Sequence, residues 1–288
     1  MPRIAVLGAN GQLGQSLQYA LRRYKDAGTW DFYGSARLDI TEKSAISKLF
    51  TPDATYDYIL NFAAYTQVDQ AEKEKEIATK VNASALEYIA KSCQKTKTVL
   101  IHMSTDYVFD GKATRPYHEQ DAAFPINHYG QTKLEGEQYI QKNMENYFIL
   151  RTGWLYSNFG HNFYLTMKKL AQTHKEIRVV SDQFGTPTHT HTVVQAILKI
   201  LALRTAKFGV YHIGNQGTAS WYDFAKNIME ALSYSGKLLP IPSNAYPTAA
   251  ARPSYSVLDK GKFEKTFAHR FPSWEKELAQ LTHSSFPR

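Results

Sequence analysis

Cysteine and long apolar stretches are both scarce in this sequence. The 288 residues include a single cysteine, Cys93, so no disulfide can form within the chain. One thiol also fits a reducing compartment, and we expect a cytoplasmic protein. No stretch approaches the roughly 18 consecutive apolar residues of a membrane-spanning helix, and the first residues lack the layout of a signal peptide. The sequence therefore predicts a soluble, unexported protein without a membrane partner.

Runs of basic residues are absent as well, although the chain is basic overall. It carries 34 Lys and Arg against 26 Asp and Glu, a formal net charge of +8. Such a surplus favours an anionic partner. Nucleic-acid surfaces show clustered basic residues with interleaved aromatics, whereas the most charged stretch here, 72–76, alternates in sign like a solvated helix face. A phosphorylated cofactor or substrate explains the surplus better than a nucleic acid, which we do not expect as a partner.

The chain lacks internal repeats and a Gly/Ser linker, and its first two thirds alternate strand and helix patterns. That rhythm is typical of βαβ units, so we predict an α/β fold with a doubly wound parallel Rossmann sheet. The first helix should bury one apolar face. The residues of that face are Leu13, Leu17, Ala20, Leu21 and Tyr24. The predicted strands are 4–7, 32–33, 58–62, 99–103, 148–150 and 177–180.

The composition changes beyond about residue 153. Segments rich in Thr, Pro and His at 185–191, and in Pro at 240–247, predict insertions that form a smaller C-terminal substrate-binding lobe. We therefore predict a mainly dinucleotide-binding Rossmann domain at 1–153. The lobe is predicted at 154–288, with some of its segments returning to the sheet.

A glycine-rich turn follows the first predicted strand. Its sequence from residue 8 to residue 14 is Gly-Ala-Asn-Gly-Gln-Leu-Gly. Between a strand and a helix, such glycines let the backbone turn tightly and approach a pyrophosphate, whose charge is met by free N–H groups and the helix dipole. The pattern favours a dinucleotide site over the alternative, a plain glycine-rich turn. The residues predicted to bind the cofactor here are Gly8, Asn10, Gly11, Gln12, Leu13 and Gly14.

The end of the second strand bears on the choice of cofactor. NAD-preferring sites usually carry an acidic residue about 20 positions after the glycines, but residues 33–37 read Tyr-Gly-Ser-Ala-Arg and the next carboxylate is Asp39. Arg37 with Ser35 could receive a 2′-phosphate, so we predict NADPH, with NADH as the alternative. Asp39 and the adjacent Ile40 could approach the adenine, or Asp39 could cap the following helix.

Hydroxyl and amine side chains follow the fourth strand. Thr105 lies where strand 99–103 ends, at the sheet edge where ligands of parallel sheets bind; an ordinary turn is the alternative. Tyr129 and Lys133 lie four apart in a predicted helix and share a face. A nearby ammonium favours the phenolate and brings a tyrosine pKa of about 10 closer to neutrality. Tyr129 could then relay a proton, Thr105 could hydrogen-bond the substrate oxygen, and Lys133 could also hold the cofactor ribose. Taken without Thr105, Tyr129 and Lys133 have an alternative interpretation without catalysis, in which the lysine is solvated and the tyrosine is packed.

The glycine turn, Thr105, Tyr129 and Lys133 together resemble the extended short-chain dehydrogenase/reductases. Longer stretches across nearly the whole chain resemble one family among them, the dTDP-4-dehydrorhamnose reductases. These stretches are 61–72, 104–111, 151–156, 182–188, 220–225 and 251–258. The resemblance implies NAD(P)H-dependent reduction of the 4-keto group of dTDP-4-dehydro-L-rhamnose to dTDP-L-rhamnose, with Tyr129 as proton donor and Thr105 and Lys133 assisting.

The same resemblance implies further site residues. Those of the cofactor cleft are Phe62, Ala63, Ala64, Tyr65 and Asn82, and those that contact the sugar nucleotide are Thr66, Val68, Asp106, Tyr107 and Trp154. An indole suits a flat apolar wall against a deoxysugar, with core packing as the alternative for Trp154. Gln183 and Arg252 could grip the diphosphate or the base, while a structural salt bridge is the alternative for Arg252.

Departures from related patterns narrow the prediction. Dehydratases of the superfamily place Asp-Glu after the catalytic Thr, whereas Tyr107 follows Asp106 here, which favours reduction. Some family members are described as dimers bridged by Mg²⁺ on carboxylates. Gln15 lies where such a carboxylate would be, so we expect no bridging metal and leave a homodimer open. His189 and His191 could be two ligands of another metal site, but without a clear third ligand we favour packing at a helix start.

Two other functions stay open. The chain could be a noncatalytic regulatory subunit of the same nucleotide-binding fold, or it could reduce another nucleotide 4-keto-deoxysugar. Thr105, Tyr129 and Lys133 are all present, which favours an enzyme.

Overall fold

The centre of the fold is a six-stranded parallel sheet. The computed structural model describes residues 1–22, 28–51 and 55–283. The strands of the described residues are β1 (Arg3–Leu7), β2 (Thr29–Tyr33), β3 (Tyr58–Asn61), β4 (Val99–Thr105), β5 (Tyr147–Thr152), β6 (Leu155–Tyr156), β7 (Glu176–Val180), β8 (Phe184–Gly185), β9 (Thr188–His189), β10 (Gly209–His212), β11 (Ala219–Ser220) and β12 (Lys237–Ile241). The sheet order is β10-β5-β4-β3-β1-β2, with every pair parallel. The chain runs from β1 out to β2 and then returns to β3 on the other side of β1. That reversal places the switch point, where ligands bind in such sheets, at the carboxyl ends of β1 and β3.

Helices cover both faces of this sheet. The helices of the described residues are α1 (Gln12–Leu21), α2 (Lys43–Ser47), α3 (Val68–Ala71), α4 (Lys75–Thr79), α5 (Ala85–Thr96), α6 (His128–Asn143), α7 (Phe163–Thr173), α8 (Thr190–Leu203), α9 (Trp221–Ala231), α10 (Gly261–Phe267) and α11 (Trp274–His283). One buried apolar cluster joins the sheet to α1, α8 and α10, and a second joins it to α2, α5 and α6. The predicted doubly wound α/β fold is confirmed.

The first helix buries the face that its periodicity predicts. Leu13, Leu17 and Ala20 are buried, and the partly buried Leu21 packs against the same cluster. The helix thereby packs against α8. Tyr24, the last residue of the predicted face, lies outside the described residues.

A third apolar cluster lies beyond residue 153. Its buried side chains come from α7, α9 and α11 and from a two-stranded sheet of β7 and β12. The strand predicted at 177–180 is β7, which pairs with β12 and does not join the central sheet. Its alternation of exposed and buried residues explains the difference, because a strand with one solvated face does not belong inside a doubly covered sheet.

The later part of the chain also contributes to the central sheet. β10 pairs with β5 at its edge, and α8 packs on the face that carries α1. The boundary between the two predicted domains at residue 153 stays a prediction. Among the described helices, we find none whose length and apolar character would let it cross a membrane.

Candidate active site

The glycine turn connects β1 to α1 at the switch point of the sheet. Gly8 has φ +80, and a Cβ there would lie 2.5 Å from the backbone nitrogen of Ala63. A Cβ on Gly14 would lie 2.5 Å from the carbonyl oxygen of Ala9. Side chains at these two positions would therefore clash with backbone atoms, so the tight turn and its close approach to the loop after β3 require glycine. Gly11 precedes the helix and has no side chain to cap it, so the start of α1 directs backbone N–H groups to this space. The turn fits a dinucleotide phosphate.

The side chains of the turn serve the surrounding structure. The Gln12 amide joins α1 to the segment that follows β6: its Oε1 accepts hydrogen bonds from Ser157 (3.1 Å) and Asn162 (2.7 Å). Leu13 is buried in the core and Asn10 is exposed. Gln12 and Leu13 can therefore contribute to phosphate binding through their backbone N–H groups, which lie at the helix start.

The end of β2 carries an exposed cation. The Arg37 guanidinium lies 4.7 Å from the ring centre of Tyr33 and donates to the Phe32 carbonyl (3.3 Å). Asp39 accepts hydrogen bonds from the N–H (2.9 Å) and hydroxyl (2.8 Å) of Thr41, so its carboxylate forms a local turn ahead of α2. Ile40 is buried in the apolar core. Of these predicted residues, Arg37 offers the charge that a 2′-phosphate requires.

Asn82 fixes the loop that follows β3. It lies in a π turn, Lys80–Ser84, between α4 and α5, and its side chain is buried. Its Oδ1 accepts from the Tyr65 N–H (2.9 Å), and its Nδ2 donates to the Tyr65 carbonyl (3.0 Å) and to the Thr132 hydroxyl (3.1 Å). Asn82 therefore holds the cleft residues 62–65 against α6. Phe62, Ala63, Ala64 and Tyr65 are half-buried in that loop.

Thr105 and Tyr129 lie together at the carboxyl edge of β4. Asn127 caps α6 by accepting a hydrogen bond from the Gly130 N–H (2.8 Å), which places Tyr129 in the first turn of the helix. The Tyr129 and Thr105 side chains are neighbours at this edge. Burial raises the pKa of Tyr129 to about 12, although the neighbouring Thr105 side chain lowers it. The phenol therefore keeps its proton at neutral pH.

Lys133 faces β4 and not the phenol. Its buried Nζ donates to the Met103 carbonyl (2.7 Å) and lies 3.1 Å from Nε2 of His102. Burial lowers the pKa of Lys133 to about 8, while the Glu137 carboxylate raises it. The expected acidification of Tyr129 by this lysine is not seen, because a buried carbonyl and an imidazole compete for the ammonium and the pKa of the phenol lies above its ordinary value.

His102 and Asn61 form a buried relay behind Lys133 that our sequence reasoning missed. Asn61 Oδ1 accepts from the Ala63 N–H (3.2 Å), so Asn61 Nδ2 donates to His102 Nδ1 (3.1 Å). If the imidazole is neutral, its proton is then on Nε2, and this N–H can donate to Lys133 only when the amine is neutral. A protonated Lys133 instead needs Nε2 as an acceptor, which requires the tautomer with the proton on Nδ1. The charge of Lys133 is therefore linked to the tautomer of His102. A polar residue within the apolar run 99–103 was the available signal.

Aromatic and acidic side chains occupy the side of the site nearer the lobe. The half-buried Tyr107 meets Tyr129 edge to face, with ring centres 5.9 Å apart. Burial raises the pKa of the adjacent Asp106 to about 6, and the nearby Ser256 side chain and the hydroxyl of Thr105, which donates to Oδ1 of Asp106 (3.1 Å), act in the opposite direction. Ser256 also escaped the sequence reasoning. A carboxyl group with such a pKa can gain or lose a proton near neutrality.

Trp154 and Trp221 form an aromatic wall. Their rings are parallel to within 2° and 3.5 Å apart, and both residues are half-buried. Trp154 has φ +51, a backbone conformation that is strained for a residue with a side chain and that often marks ligand sites. Trp221 was not predicted, and only its place in the stretch 220–225 signalled it. The stack leaves part of each ring open to a ligand.

Arg252 and Gln183 hold loops in this structure. The Arg252 fork binds Asp69 (2.9 and 2.6 Å) and the Ala250 carbonyl (2.7 Å), which is the salt-bridge alternative. Gln183 donates to the Ser243 hydroxyl (2.9 Å). Asp69 lies in α3, next to the predicted substrate contacts Thr66, which is exposed, and Val68, which is half-buried. Carboxylate and loop atoms occupy these two side chains, and their grip on a diphosphate or base stays a prediction.

Gln15 lies where the family resemblance implies a carboxylate ligand for a bridging Mg²⁺. Its amide nitrogen donates to the Asn10 carbonyl (2.7 Å). Mg²⁺ prefers carboxylate and other hard oxygen ligands in octahedral geometry. A neutral amide engaged with its own turn does not supply the bridging carboxylate, so this position does not fit that metal.

Three features define a class: the parallel-sheet topology, the glycine turn at the switch point, and a tyrosine beside a threonine at the same sheet edge. That class is the NAD(P)-dependent oxidoreductases of the extended short-chain dehydrogenase/reductase type. The chain belongs to the family described as RmlD substrate binding domain, whose model matches residues 2–285.

Named relatives agree with this assignment. The chain is 36% identical over 293 residues to a dTDP-4-dehydrorhamnose reductase of Escherichia coli (strain K12), covering 98% of each. It is 38% identical over 288 residues to one of Sinorhizobium fredii (strain NBRC 101917 / NGR234), covering 97% of this chain and 96% of that one. A crystal structure of dTDP-4-dehydrorhamnose reductase from Bacillus anthracis str. Ames in complex with NADP matches with a TM-score of 0.92 at 37% identity, covering 97% and 98% of the two chains.

Proposed function

We propose that this chain reduces the 4-keto group of dTDP-4-dehydro-L-rhamnose to the hydroxyl of dTDP-L-rhamnose with NADPH. The observation that carries the proposal is the placement of Thr105 beside Tyr129 at the sheet edge that also holds the glycine turn. The family assignment supports a dTDP-sugar substrate, and the NADP in the Bacillus anthracis structure supports the cofactor. The chain is thus an NADPH-dependent oxidoreductase that acts on a nucleotide sugar.

NADPH, when bound, supplies a hydride to C4 of the sugar. Tyr129 gives its proton to the C4 oxygen, so the ketone becomes an alcohol and the phenol becomes a phenolate. A pKa of about 12 keeps the phenol protonated until the oxygen gains charge. Thr105 stabilises that oxygen through its hydroxyl, and Lys133 helps to hold the cofactor.

The remaining roles divide between the two predicted domains. In residues 1–153, the glycine turn holds the pyrophosphate, and Arg37 binds the 2′-phosphate. In residues 154–288, the Trp154 and Trp221 wall packs against the deoxysugar, as stacked indoles at a ligand site favour. A homodimer and a cytoplasmic location stay predictions of the sequence.

The proposal is tested by turnover with purified protein, dTDP-4-dehydro-L-rhamnose and NADPH, followed by the loss of NADPH absorbance. We expect turnover with this sugar and slower turnover with other nucleotide 4-keto-deoxysugars. Protein that is folded and binds NADPH, yet oxidises it with none of these sugars, would contradict the proposal. In that case, recovery of a stoichiometric enzyme partner would favour the noncatalytic alternative.

A further inference from the structure

Two histidines and a glutamate converge far along the chain from the catalytic residues. Nδ1 of His189 lies 3.3 Å from Oε2 of Glu277, and Nδ1 of His191 lies 3.7 Å from the same oxygen. One donor atom from each of the three residues lies within 4.8 Å of the others. Our sequence reasoning found the two histidines but no third ligand, because Glu277 is more than eighty positions away in the chain.

Local backbone conformation brings the two imidazoles to one point. His189 is the N-cap of α8, with φ −74 and ψ 135, and its side chain therefore leaves the helix axis in a different direction from that of a helical residue. His191 lies in the first turn of α8, and Glu277 lies in the first turn of α11. The cluster thus joins the start of one helix to the start of another.

The burial of the cluster favours a bound ion. The side chains of His189 and Glu277 are 9% and 7% exposed, whereas that of His191 is 51% exposed. Two donors are therefore held in place and largely dehydrated, while the third can move to close the set. A hydrogen-bonded Glu277 with two imidazoles and no ion is the competing arrangement.

The donor set and its spacing suit a borderline transition metal. Zinc binds imidazole nitrogen and carboxylate oxygen at about 2.0–2.2 Å, which puts tetrahedral donors roughly 3.4 Å apart. The distances of 3.3 and 3.7 Å are close to that value. Imidazoles do not suit Mg²⁺, which prefers oxygen ligands. A set of two imidazoles and one carboxylate also differs from the carboxylates that bridge Mg²⁺ in the dimers described for some family members.

We propose that His189, His191 and Glu277 bind one Zn²⁺ ion, with water as the fourth ligand. A cavity of about 230 Å³ adjoins the three side chains and is also lined by Ser16, Tyr19 and Phe159. It leaves room for the water on the open side of the ion. The ion joins the start of α8, which packs on the central sheet, to α11 in the third apolar cluster. It is a structural site and takes no part in the reduction.

The first test is metal binding by the full chain, freed of metal with a chelator. Titration with Zn²⁺ by calorimetry should show one saturable site per chain, and Co²⁺ as a probe should give visible absorption typical of tetrahedral nitrogen and oxygen ligands. A large excess of Mg²⁺ should not displace either ion. Absence of a saturable site for both Zn²⁺ and Co²⁺ would overturn the proposal.

Substitutions then locate the site. Loss of an outer partner of a metal ligand typically weakens binding about 10- to 100-fold, so loss of a direct ligand should weaken it at least as much. We expect that result for His191→Gln, which changes an exposed side chain, and for Glu277→Gln. His174→Gln changes an exposed histidine on another helix end and should bind like the unmodified chain. If both His191→Gln and Glu277→Gln bind Zn²⁺ with the affinity of the unmodified chain, the assignment is overturned.

Thermal unfolding gives an independent measurement. An ion that binds only the folded chain raises the melting temperature as its concentration exceeds the Kd. Zn²⁺ should therefore raise the Tm of the unmodified chain and of His174→Gln, but not that of Glu277→Gln. Equal Zn²⁺ effects on all three proteins would contradict the site, whatever the outcome of the reductase assay.

Discussion

At the scale of single residues, the site depends on a phenol that holds its proton. Burial raises the pKa of Tyr129 to about 12, and the Thr105 side chain lies beside it. We predict that Tyr129→Phe lowers kcat by about 10²- to 10⁴-fold, the usual contribution of a positioned proton donor. NADPH affinity, measured by fluorescence titration, should change little. A variant with unaltered kcat would show that another group delivers the proton.

Lys133 gives the reaction a predictable pH dependence. Its folded-state pKa is lowered to about 8 by burial, so the amine is protonated below that pH and neutral above it. If the ammonium helps to hold the cofactor, kcat/KM should fall as pH rises through about 8.

The control for this pH dependence is Lys133→Arg. A guanidinium stays charged over the accessible range, so the variant should be slower but should lose the alkaline limb. An alkaline limb at the same pH in both proteins would assign it to a different group.

At the scale of elements, the carboxylate of Asp69 joins α3 to the loop at residues 250–252. Asp69 accepts both arms of Arg252 and the Ala250 N–H (3.0 Å), and Asn127 at the start of α6 donates to the adjacent Ala251 carbonyl (2.8 Å). The catalytic helix and the loop at 250–252 are therefore held together beside Tyr129.

Breaking this contact should loosen the loop without unfolding the chain. The Asp69 carboxylate is 46% exposed, so the pair is worth roughly 1 kcal/mol, or about a fivefold change in affinity. We predict that Asp69→Asn raises KM for the sugar nucleotide by about that factor and leaves NADPH affinity unchanged in steady-state kinetics. An equal loss of affinity for both ligands would instead indicate general destabilisation.

The pattern of apolar residues predicted the positions of strands better than it predicted which strands pair. Apolar runs correctly located β1, β3, β4 and β5 because buried parallel strands are continuously apolar. The same approach found β7 but not its pairing with β12, since strand pairing depends on tertiary contacts.

Side-chain partners were harder to predict than elements. Arg252, Gln183 and Gln12 have the chemistry of phosphate ligands, yet each is hydrogen-bonded to a residue far away in the chain. Lys133 has the predicted place on α6, but its amine binds the backbone of β4. Spacing along a helix fixes the face of a residue; the competing acceptors around a long side chain become known only from the fold.

At the scale of the whole molecule, a buried lysine lowers stability near neutral pH. Lys260 is 4% exposed, and burial lowers its pKa to about 8. The carboxylates of Asp259 and Glu264 act in the opposite direction and raise this pKa. The unfolded chain, with an ordinary lysine pKa of about 10.4, then binds more protons between those two values. The destabilisation is therefore complete below pH about 8 and decreases as pH rises toward about 10.4.

Replacing this lysine should stabilise the fold in a pH-dependent way. We predict that Lys260→Met raises the free energy of unfolding at neutral pH by on the order of 1–3 kcal/mol. The gain should shrink as pH rises from about 8 toward and above about 10.4, because the wild-type amine is neutral in both states only above both pKa values. Chemical denaturation at several pH values measures it. A gain that does not vary with pH would mean that packing, and not charge, is responsible.

The central claim is that hydride reaches C4 of the sugar while Tyr129 protonates the neighbouring oxygen. Single turnover with NADPH that carries deuterium at both hydrogen positions of nicotinamide C4 tests it, followed by mass spectrometry and NMR of the product. We predict deuterium at C4 of dTDP-L-rhamnose, at the same carbon but formed much more slowly with Tyr129→Phe. A product without deuterium at C4, from folded protein with cofactor bound, would contradict the account.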